Sequence, residues 1–221
     1  MVIDLFRCVA CQSCTVACKA ENYTSAGVSW HRVMQQEYGT YPTARRSFVP
    51  MPCMHCDNTP CLKVCPTGAT YKRNDGIVLV DYSKCIGCKY CMQACPYGAR
   101  QFNDGDAYFP EIGLTAFEKF GGTLVEHVPG TAEKCTFCAH RIDEGVKNGL
   151  KPGVDPEATP ACVNACPTNA RIFGDLDDSN SRISRIVKDY HAEPLRPEFG
   201  TRPSVYYLPP SRSVIKGELK W

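Results

Sequence analysis

Four groups of closely spaced cysteines constrain this chain more than any other feature of its sequence. The chain has 221 residues, and all 16 of its cysteines fall into these groups. They are Cys8, Cys11, Cys14 and Cys18 in group 1, Cys53, Cys56, Cys61 and Cys65 in group 2, Cys85, Cys88, Cys91 and Cys95 in group 3, and Cys135, Cys138, Cys162 and Cys166 in group 4. Groups 2, 3 and 4 each end in Cys-Pro. This self-similarity indicates one structural unit used repeatedly.

The spacing within the groups is typical of iron-sulfur ligands. Groups 1 and 3 read CxxCxxCxxxC, group 2 has one longer gap, and 23 residues separate the two halves of group 4. In the bacterial pattern, three cysteines wrap one cubane and the last cysteine ligates the neighbouring cluster. The groups therefore operate in reciprocal pairs, and the sequence predicts four [4Fe-4S] clusters.

Two other uses of cysteine fit the spacing poorly. A zinc site needs two CxxC pairs that converge on a tetrahedral ion, and here each group would have a third cysteine left over. A disulfide framework would require strained local bridges between crowded cysteines, and it normally accompanies a signal peptide. The N-terminus, Met1 to Cys8, has no basic segment followed by an apolar stretch, so no signal peptide is expected.

Histidines and lysines beside the groups are candidate modifiers of the clusters. His55 lies inside group 2 and His140 follows Cys138, so either could replace a ligand or donate a hydrogen bond. Direct ligation is disfavoured because sixteen cysteines already match sixteen ligand positions. Lys84 and Lys134 precede the first cysteines of groups 3 and 4. Each is either a positive charge that raises a cluster potential or a solvated lysine.

Nothing outside the groups points to a substrate site. Tyr90, Tyr97 and Phe137 lie within or beside the ligand loops, where shielding of the clusters is favoured over a role as electron stepping-stones. The sequence contains no nucleotide-binding glycine motif and no acid, base or nucleophile constellation. We therefore expect no catalytic residue and no enzyme activity from this chain alone.

Local patterns around the groups predict an α+β fold. Apolar β-rich runs at 76–80 and 99–102 predict strands, and each CxxxC should lie on a short helical turn. Residues 104–133 and 142–161 lack cysteines and read as surface insertions. Apolar residues recur at helical spacing over 183–190, and five prolines between Pro194 and Pro210 then forbid a longer helix. The extended tail after that helix could lie across a partner subunit or pack on its own domain.

Charge and hydropathy exclude two classes of partner. Lys and Arg (25) nearly balance Asp and Glu (23), without a basic stripe, so no nucleic acid is expected. The longest strongly apolar run, 77–80, is far shorter than the roughly 20 residues of a membrane span. We therefore expect no direct membrane span.

Over essentially its whole length the sequence resembles the iron-sulfur (beta) subunit of the dimethyl sulfoxide reductase family of molybdopterin oxidoreductases. Besides the order of the groups, the matching pieces are Gly39-Thr40-Tyr41-Pro42, Pro60-Cys61, Lys134-Cys135-Thr136-Phe137-Cys138, Phe173-Gly174-Asp175-Leu176-Asp177, Gly200-Thr201-Arg202-Pro203 and Tyr206-Tyr207. It looks most like the small subunits of respiratory arsenate reductase or polysulfide/thiosulfate reductase.

The resemblance implies a fold of two intertwined bacterial 2[4Fe-4S] ferredoxin-like modules with surface insertions and an extended C-terminal tail. One module would comprise residues 1–45 and 134–180, and the other residues 46–103. Residues 104–133 would form an insertion, and residues 181–221 the helix and tail.

The resemblance also implies how the groups pair, with group 1 sharing clusters with group 4 and group 2 with group 3. The implied ligand sets are Cys8, Cys11, Cys14 and Cys166 for cluster 1, Cys18, Cys135, Cys138 and Cys162 for cluster 2, Cys53, Cys56, Cys61 and Cys95 for cluster 3, and Cys65, Cys85, Cys88 and Cys91 for cluster 4. All sixteen ligands are present, so no [3Fe-4S] cluster is expected.

By the same resemblance, the chain would relay single electrons between a quinone-linked or other redox partner and a large catalytic subunit. That subunit would carry molybdenum or tungsten on a bis-pyranopterin cofactor, and a quinone-reactive membrane anchor is a further implied partner. Co-export with a signal-bearing partner would place the complex on the extracytoplasmic (periplasmic) face of the membrane; a cytoplasmic location is the alternative. The alternative functions are a free polyferredoxin and a subunit of a formate dehydrogenase or hydrogenase complex.

Overall fold

The structure is a computed structural model that describes residues 1–210. Within that range, short helices and short strands alternate along the chain. The helices are α1 Ser13–Asn22, α2 Pro60–Lys63, α3 Tyr90–Gln93, α4 Ala116–Gly121, α5 Ala139–Lys147, α6 Ala161–Asn164 and α7 Arg182–Asp189. The strands are β1 Val2–Asp4, β2 Arg32–Tyr38, β3 Arg45–Met51, β4 Thr70–Lys72, β5 Val78–Val80, β6 Gln101–Asn103, β7 Thr131–Glu133, β8 Arg171–Ile172, β9 Glu193–Pro194 and β10 Tyr206–Leu208. This content confirms the α+β class.

The helices α2, α3 and α6 each span four residues, and each carries the third cysteine of its group. In each case the Cys-Pro that ends the group follows shortly, and the proline ring prevents the helix from continuing. Group 1 ends in Cys18-Lys19 without a proline, and its helix α1 runs on to Asn22. The expectation that each CxxxC lies at a short helix is confirmed.

Three antiparallel hairpins connect the groups: β2 with β3, β4 with β5, and β6 with β7. β5 lies within the predicted strand at 76–80, and β6 begins two residues later than the predicted strand at 99–102. Hairpin β2–β3 includes residue 45, the predicted boundary between the two modules. Hairpin β6–β7 brings together the two ends of the insertion at 104–133.

A four-stranded sheet with the order β8-β1-β10-β9 joins the N-terminus to the C-terminal region. β1 pairs antiparallel with β8 and parallel with β10. Val2, Ile3 and Val205 are fully buried in or beside this sheet. The amino group of Met1 donates a hydrogen bond to the Ser204 carbonyl at 2.9 Å. Residues far apart in sequence therefore close one side of the molecule together.

The predicted helix near residue 183 is present as α7. The Ser181 hydroxyl accepts a hydrogen bond from the Ser184 N–H at 3.1 Å and so caps the helix N-terminus, while Ile183 is buried. After α7, the described part of the tail lies against its own chain, and the Tyr207 hydroxyl donates to the Pro50 carbonyl at 2.9 Å. The rest of the predicted tail, 211–221, lies outside the described residues.

Candidate metal centres

Four cysteines from groups 2 and 3 line a small cavity, here called the inner cavity. They are Cys53, Cys56, Cys61 and Cys95. Helix α2 packs against α3, and this contact brings the last cysteine of group 3 to the first three of group 2. Cys95 is partly exposed and the other three are buried. The structure thus gathers the set of thiols that the resemblance implies for cluster 3.

A second cavity, here called the outer cavity, lies between residues of the same two groups. It is lined by the remaining cysteines of the two groups, Cys65, Cys85, Cys88 and Cys91. Cys88 is exposed and only Cys91 is buried. The four thiols predicted for cluster 4 therefore line one cavity, and this cavity is open to solvent.

Groups 1 and 4 meet where helix α1 packs against α6. Burial raises the pKa of the Cys14 thiol; Arg171 opposes this, and nearby Cys162, Cys8 and Cys166 raise the pKa further. Burial likewise raises the pKa of Cys8, and Cys166 and Cys11 contribute. Cys166 therefore lies beside the first cysteines of group 1 despite a separation of more than 140 residues.

The last cysteine of group 1 lies among the first three of group 4. Burial raises the pKa of Cys18 well above its ordinary value, and Cys135, Cys162 and Cys138 raise it further. Burial and the charge of Cys162 raise the pKa of both Cys135 and Cys138 to about 12. All four thiols are buried. Metal binding here must release protons, so it should be strongly pH-dependent.

A backbone hydrogen bond orients the last cysteine in three of the four groups. The Sγ atoms of Cys65, Cys95 and Cys166 accept from the N–H groups of Thr70, Ala99 and Ala170, at 3.5, 3.5 and 3.3 Å respectively. A hydrogen bond to sulfur favours the thiolate, which is the form that binds metal. The segment after each Cys-Pro thus positions the thiol that crosses to the neighbouring set.

All sixteen cysteines are free thiols, and many of them lie in the core beside apolar side chains. Within residues 1–210, no three His, Cys, Asp or Glu side chains converge closely enough for a single metal ion. The thiols of groups 2 and 3 line two cavities instead, and a metal group shared among grouped thiols would contribute its binding energy to folding.

Buried cations provide a test of whether an iron-sulfur cluster fits these sites. Arg100, Arg171 and Lys134 are at least 96% buried, and none of them pairs with a carboxylate in the described part of the chain. Arg100 lines both cavities, and its Nε and Nη1 atoms are buried without a hydrogen-bond partner among residues 1–210. A buried charge is costly unless it is paired. A thiolate-ligated cluster is anionic and can accept these hydrogen bonds, so the residues fit the group.

His55 and Phe137 form a stacked pair with ring centroids 3.8 Å apart. His55 belongs to the loop of the inner cavity, and Phe137 lies between Cys135 and Cys138 of group 4. Nδ1 of His55 accepts from the Val78 N–H at 3.0 Å, which leaves the proton on Nε2, a buried atom with no hydrogen-bond partner in the part of the chain that the structure describes. Burial lowers the pKa of His55 well below its ordinary value, so the ring is neutral. The stack connects two ligand loops that belong to different pairs of groups.

The other residues predicted beside the groups divide by burial. Lys134 is buried, and its Nζ atom donates to the carbonyls of Val78 and Cys135, which excludes a solvated lysine. Lys84 is exposed and pairs with Asp81 at 2.7 Å. His140 pairs with Glu21 at 2.8 Å on the surface.

The tyrosines differ in the same way. Tyr97 is buried, and its hydroxyl lies 2.6 Å from that of Thr201, whereas Tyr90 is mostly exposed.

Sequence reasoning missed three residues that act on the thiols. Arg100 donates to Cys61 Sγ at 3.2 Å, and Nδ2 of Asn22 lies 3.7 Å from Cys18 Sγ and 3.9 Å from Cys138 Sγ. Arg171 is the third, because its charge acts on Cys14. The repeat contained a signal for the arginines, since Ala-Arg stands at the same distance after Cys-Pro in groups 3 and 4.

Comparison with known families matches two models, each described as a 4Fe-4S dicluster domain, over residues 44–110 and 84–170. Among known proteins, a proposed iron-sulfur subunit of the dimethyl sulfoxide reductase of Halobacterium salinarum is 45% identical over 94% of this chain and 78% of its own length. A subunit of the selenate reductase of Mesobacillus selenatarsenatis is 44% identical over 94% and 70%. The iron-sulfur subunit of the arsenate respiratory reductase of Shewanella sp. is 39% identical over 94% of both chains.

These matches agree with the geometry of the thiols. Two ferredoxin-like dicluster domains and sixteen free cysteines account for four [4Fe-4S] clusters. The resemblance read from the sequence is confirmed by relatives that share most of the chain. The chain therefore belongs to the iron-sulfur subunits of the dimethyl sulfoxide reductase family of oxidoreductases.

Proposed function

We propose that the sixteen cysteines bind the four clusters in the sets predicted from the sequence. The sets are Cys8, Cys11, Cys14 and Cys166; Cys18, Cys135, Cys138 and Cys162; Cys53, Cys56, Cys61 and Cys95; and Cys65, Cys85, Cys88 and Cys91. The lining of the two cavities supports the last two sets. The packing of α1 on α6 and the mutual effects of the thiols on their pKa values support the first two.

The same contacts support a division into two ferredoxin-like modules, with residues 1–45 and 134–180 in one and residues 46–103 in the other. The pairing of β1 with β8 links the two parts of the first module. The insertion at 104–133 and the helix and tail at 181–221 complete the proposed organisation.

The chain acts as an electron-transfer subunit that conducts single electrons and performs no substrate chemistry. The observation that carries this function is the gradient of burial along the four sets. The two middle sets are almost wholly buried, whereas the two end sets include the exposed thiols of Cys11 and Cys88. When bound, the clusters exchange single electrons. An exposed set at each end lets electrons enter at one end and leave at the other.

The residues at the module boundary exclude water from the middle of this path. His55 and Phe137 are buried and stacked between the inner cavity and the loop of Cys135 and Cys138. Lys134 fixes two carbonyls beside them. A dry, rigid contact between the two middle sets favours transfer over side reactions with solvent.

The proposed partners are a large catalytic subunit with molybdenum or tungsten on a bis-pyranopterin cofactor and a quinone-linked or other redox partner, with a membrane anchor as a further candidate. The relatives are subunits of dimethyl sulfoxide, selenate and arsenate reductases, which supports a catalytic partner. Among the described residues no helix is long and apolar enough to span a membrane. Of the possible terminal substrates we favour arsenate or polysulfide/thiosulfate.

The number of exposed apolar side chains in the insertion favours a fixed subunit over a free polyferredoxin. These side chains are Phe109, Ile112, Leu114, Phe117, Phe120 and Leu124. A large exposed apolar patch usually marks a protein interface, and a mobile carrier would be prone to aggregate through it. A subunit of a formate dehydrogenase or hydrogenase complex remains the other alternative.

Anaerobic purification from the native host tests the proposal. We expect about sixteen iron and sixteen sulfide per chain, together with a large molybdenum- or tungsten-containing partner. Repeated isolation as a stable lone monomer would support the polyferredoxin instead. A co-purified subunit that oxidises formate or hydrogen would favour the other alternative, and assays with arsenate, polysulfide and thiosulfate would identify the substrate. Fractionation of intact cells would test the extracytoplasmic location against the cytoplasmic one.

A further inference from the structure

The internal repeat places an arginine at one equivalent position in two groups. Ala99-Arg100 follows the Cys-Pro of group 3, and Ala170-Arg171 follows that of group 4. The side chains are 3% and 4% exposed, which is rare for arginine. Group 2 has Thr70 at this position. Each proposed module therefore contains one buried arginine from the repeat.

Arg100 lies between the two ligand sets of its module. It lines both the inner and the outer cavity. Its Nη2 donates to Cys61 Sγ at 3.2 Å and to the Thr70 hydroxyl at 3.1 Å, so Thr70 helps to hold the guanidinium in place. Nε and Nη1 are buried and have no partner among the described residues, although both are donors.

Arg171 stands at the equivalent position of the repeat and is held by different partners. Its Nη1 donates to His31 Nε2 at 2.6 Å, and its Nη2 lies 3.3 Å from Met1 Sδ. Both partners are neutral, because burial lowers the pKa of His31 well below its ordinary value. The guanidinium charge acts on Cys14 and Cys18, which belong to different ligand sets. Ala170, the residue before Arg171, donates its N–H to Cys166 Sγ at 3.3 Å, so Arg171 follows directly after the backbone that holds a thiol of the first set, whereas Arg100 lines the cavities of both of its sets.

We propose that Arg100 and Arg171 are paired counter-charges, each of which raises the reduction potentials of the two clusters in its own module. The proposal rests on the ligand sets given under Proposed function. Reduction adds negative charge, and a cation buried nearby stabilises the reduced state. Because a guanidinium stays protonated in proteins, its effect should not change with pH. Arg100 should act most strongly on the set that contains Cys61, since it donates directly to that sulfur.

Redox titration followed by spin resonance tests the proposal on the complete complex. In R100Q, which removes the charge, we expect the reduction equilibrium of a cluster in the group 2 and 3 module to shift at least tenfold toward the oxidised form. For one electron this is a midpoint about 59 mV more negative. Clusters of the other module should keep their potentials, and R171Q should give the converse pattern.

Two further variants separate charge from packing. R100K keeps the charge and should stay within a threefold change of the native equilibrium. R32Q is the matched control, because Arg32 donates to the Tyr97 carbonyl at 2.8 Å in the same region, and it should leave all four potentials unchanged. Equal shifts in R100Q and R100K would overturn the proposal, because a retained charge would then have no effect.

Iron content distinguishes failure of this inference from failure of the proposed function. A native chain without about sixteen iron atoms would refute the clusters themselves. Fully loaded R100Q and R171Q with native potentials would overturn only the counter-charges. If R100Q does not bind iron, R100K distinguishes the two roles of Arg100. Native iron content and native potentials in R100K support a role for the charge. If R100K also fails to bind iron, Arg100 serves folding alone and its role as a counter-charge is overturned.

Discussion

The two proposed modules use the same repeat but assemble it over very different lengths of chain. Groups 2 and 3 supply eight cysteines within residues 53–95, whereas groups 1 and 4 supply theirs from residues 8–18 and 135–166. Closing a longer loop costs more conformational entropy. The module of groups 2 and 3 can therefore form from local contacts, and the module of groups 1 and 4 needs support from elsewhere in the molecule.

That support comes from the two ends of the described chain. β1 pairs with β8 directly after group 4 and with β10 from the tail. The Met1 amino group also donates to the Ser204 carbonyl, and burial followed by the charge of Arg171 lowers its pKa to about 5. The four-stranded sheet thus holds groups 1 and 4 together, as hairpin β4–β5 holds groups 2 and 3 together.

A buried carboxylate connects the modules and the insertion. Glu133 is fully buried and accepts hydrogen bonds from Trp30 Nε1 at 3.0 Å and Asn103 Nδ2 at 2.8 Å, and His127 Nδ1 lies 2.9 Å from its Oε1 atom. These three partners come from the first segment, from β6 and from the insertion. The modules therefore differ in how their cysteine groups are brought together. In the folded state both contribute to one boundary, which is centred on Glu133.

The largest effect should come from removing the thiol that crosses between groups in each module. Cys166→Ser should abolish the cluster bound by Cys8, Cys11 and Cys14, and iron should fall from about sixteen to about twelve per chain. Cys95→Ser should cost the same amount of iron but spare group 1. Iron analysis and spin resonance of both variants check this. Loss of only the cluster of Cys135, Cys138 and Cys162 in the first variant would refute the pairing.

Gly87 in group 3 and Ala10 in group 1 stand at the same position of the repeat but differ in the space around them. Substitutions at these two positions should therefore have different effects on stability. A Cβ on Gly87 would lie 2.2 Å from the Gly130 carbonyl oxygen, so Gly87→Ala should destabilise the cluster-loaded protein by roughly 3 kcal/mol. Ala10 occupies the same position in group 1 and already has a φ of 54°. Ala10→Gly should change stability by less than about 1 kcal/mol. Urea titration followed by cluster absorbance measures the stability of both variants. Equal losses of stability would contradict the close packing of Gly87 against Gly130.

The contact between the tail and β3 should contribute less. Tyr207→Phe removes the hydrogen bond to the buried Pro50 carbonyl and should cost about 1–2 kcal/mol. Tyr206→Phe is the matched control, because within residues 1–210 its hydroxyl makes no hydrogen bond, and it should cost almost nothing. The midpoint of urea unfolding compares the two. A neutral Tyr207→Phe would mean that the tail is not needed to close the distant module.

The smallest effect should be a pH dependence at the shared boundary. Burial opposes protonation of His127, but its contact with Glu133 outweighs burial and raises the pKa of the imidazole above its ordinary value. The stabilisation should therefore be complete below about pH 6.5 and should be lost as the pH rises through the folded-state pKa. His127→Gln should remove this component, as urea midpoints measured between about pH 6 and 9 would show. An unchanged slope in the variant would assign the dependence to other groups.

Local patterns predicted the short elements well because their causes lie within a few residues. The Cys-Pro steps end α2, α3 and α6 where the sequence indicated, and the periodic run near Ile183 forms α7. The repeat marked the position of Arg100, but the burial of Arg100 and Lys134 could not be read from the sequence, because both would be ordinary solvated cations unless distant segments enclosed them. His55 was singled out from its position, but its stacking on Phe137 depends on contact between two groups.

The sequence by itself determined the kind and number of metal groups, because the identity and spacing of cysteines decide which inorganic group can be ligated. It also placed the helix turns that carry them. Only the tertiary structure decided which buried cations face the thiols, how β1 and β10 close over the distant pair of groups, and how deeply each set is buried. Those properties depend on long-range packing, in which residues more than a hundred positions apart share one low-dielectric interior, and no local spacing encodes that.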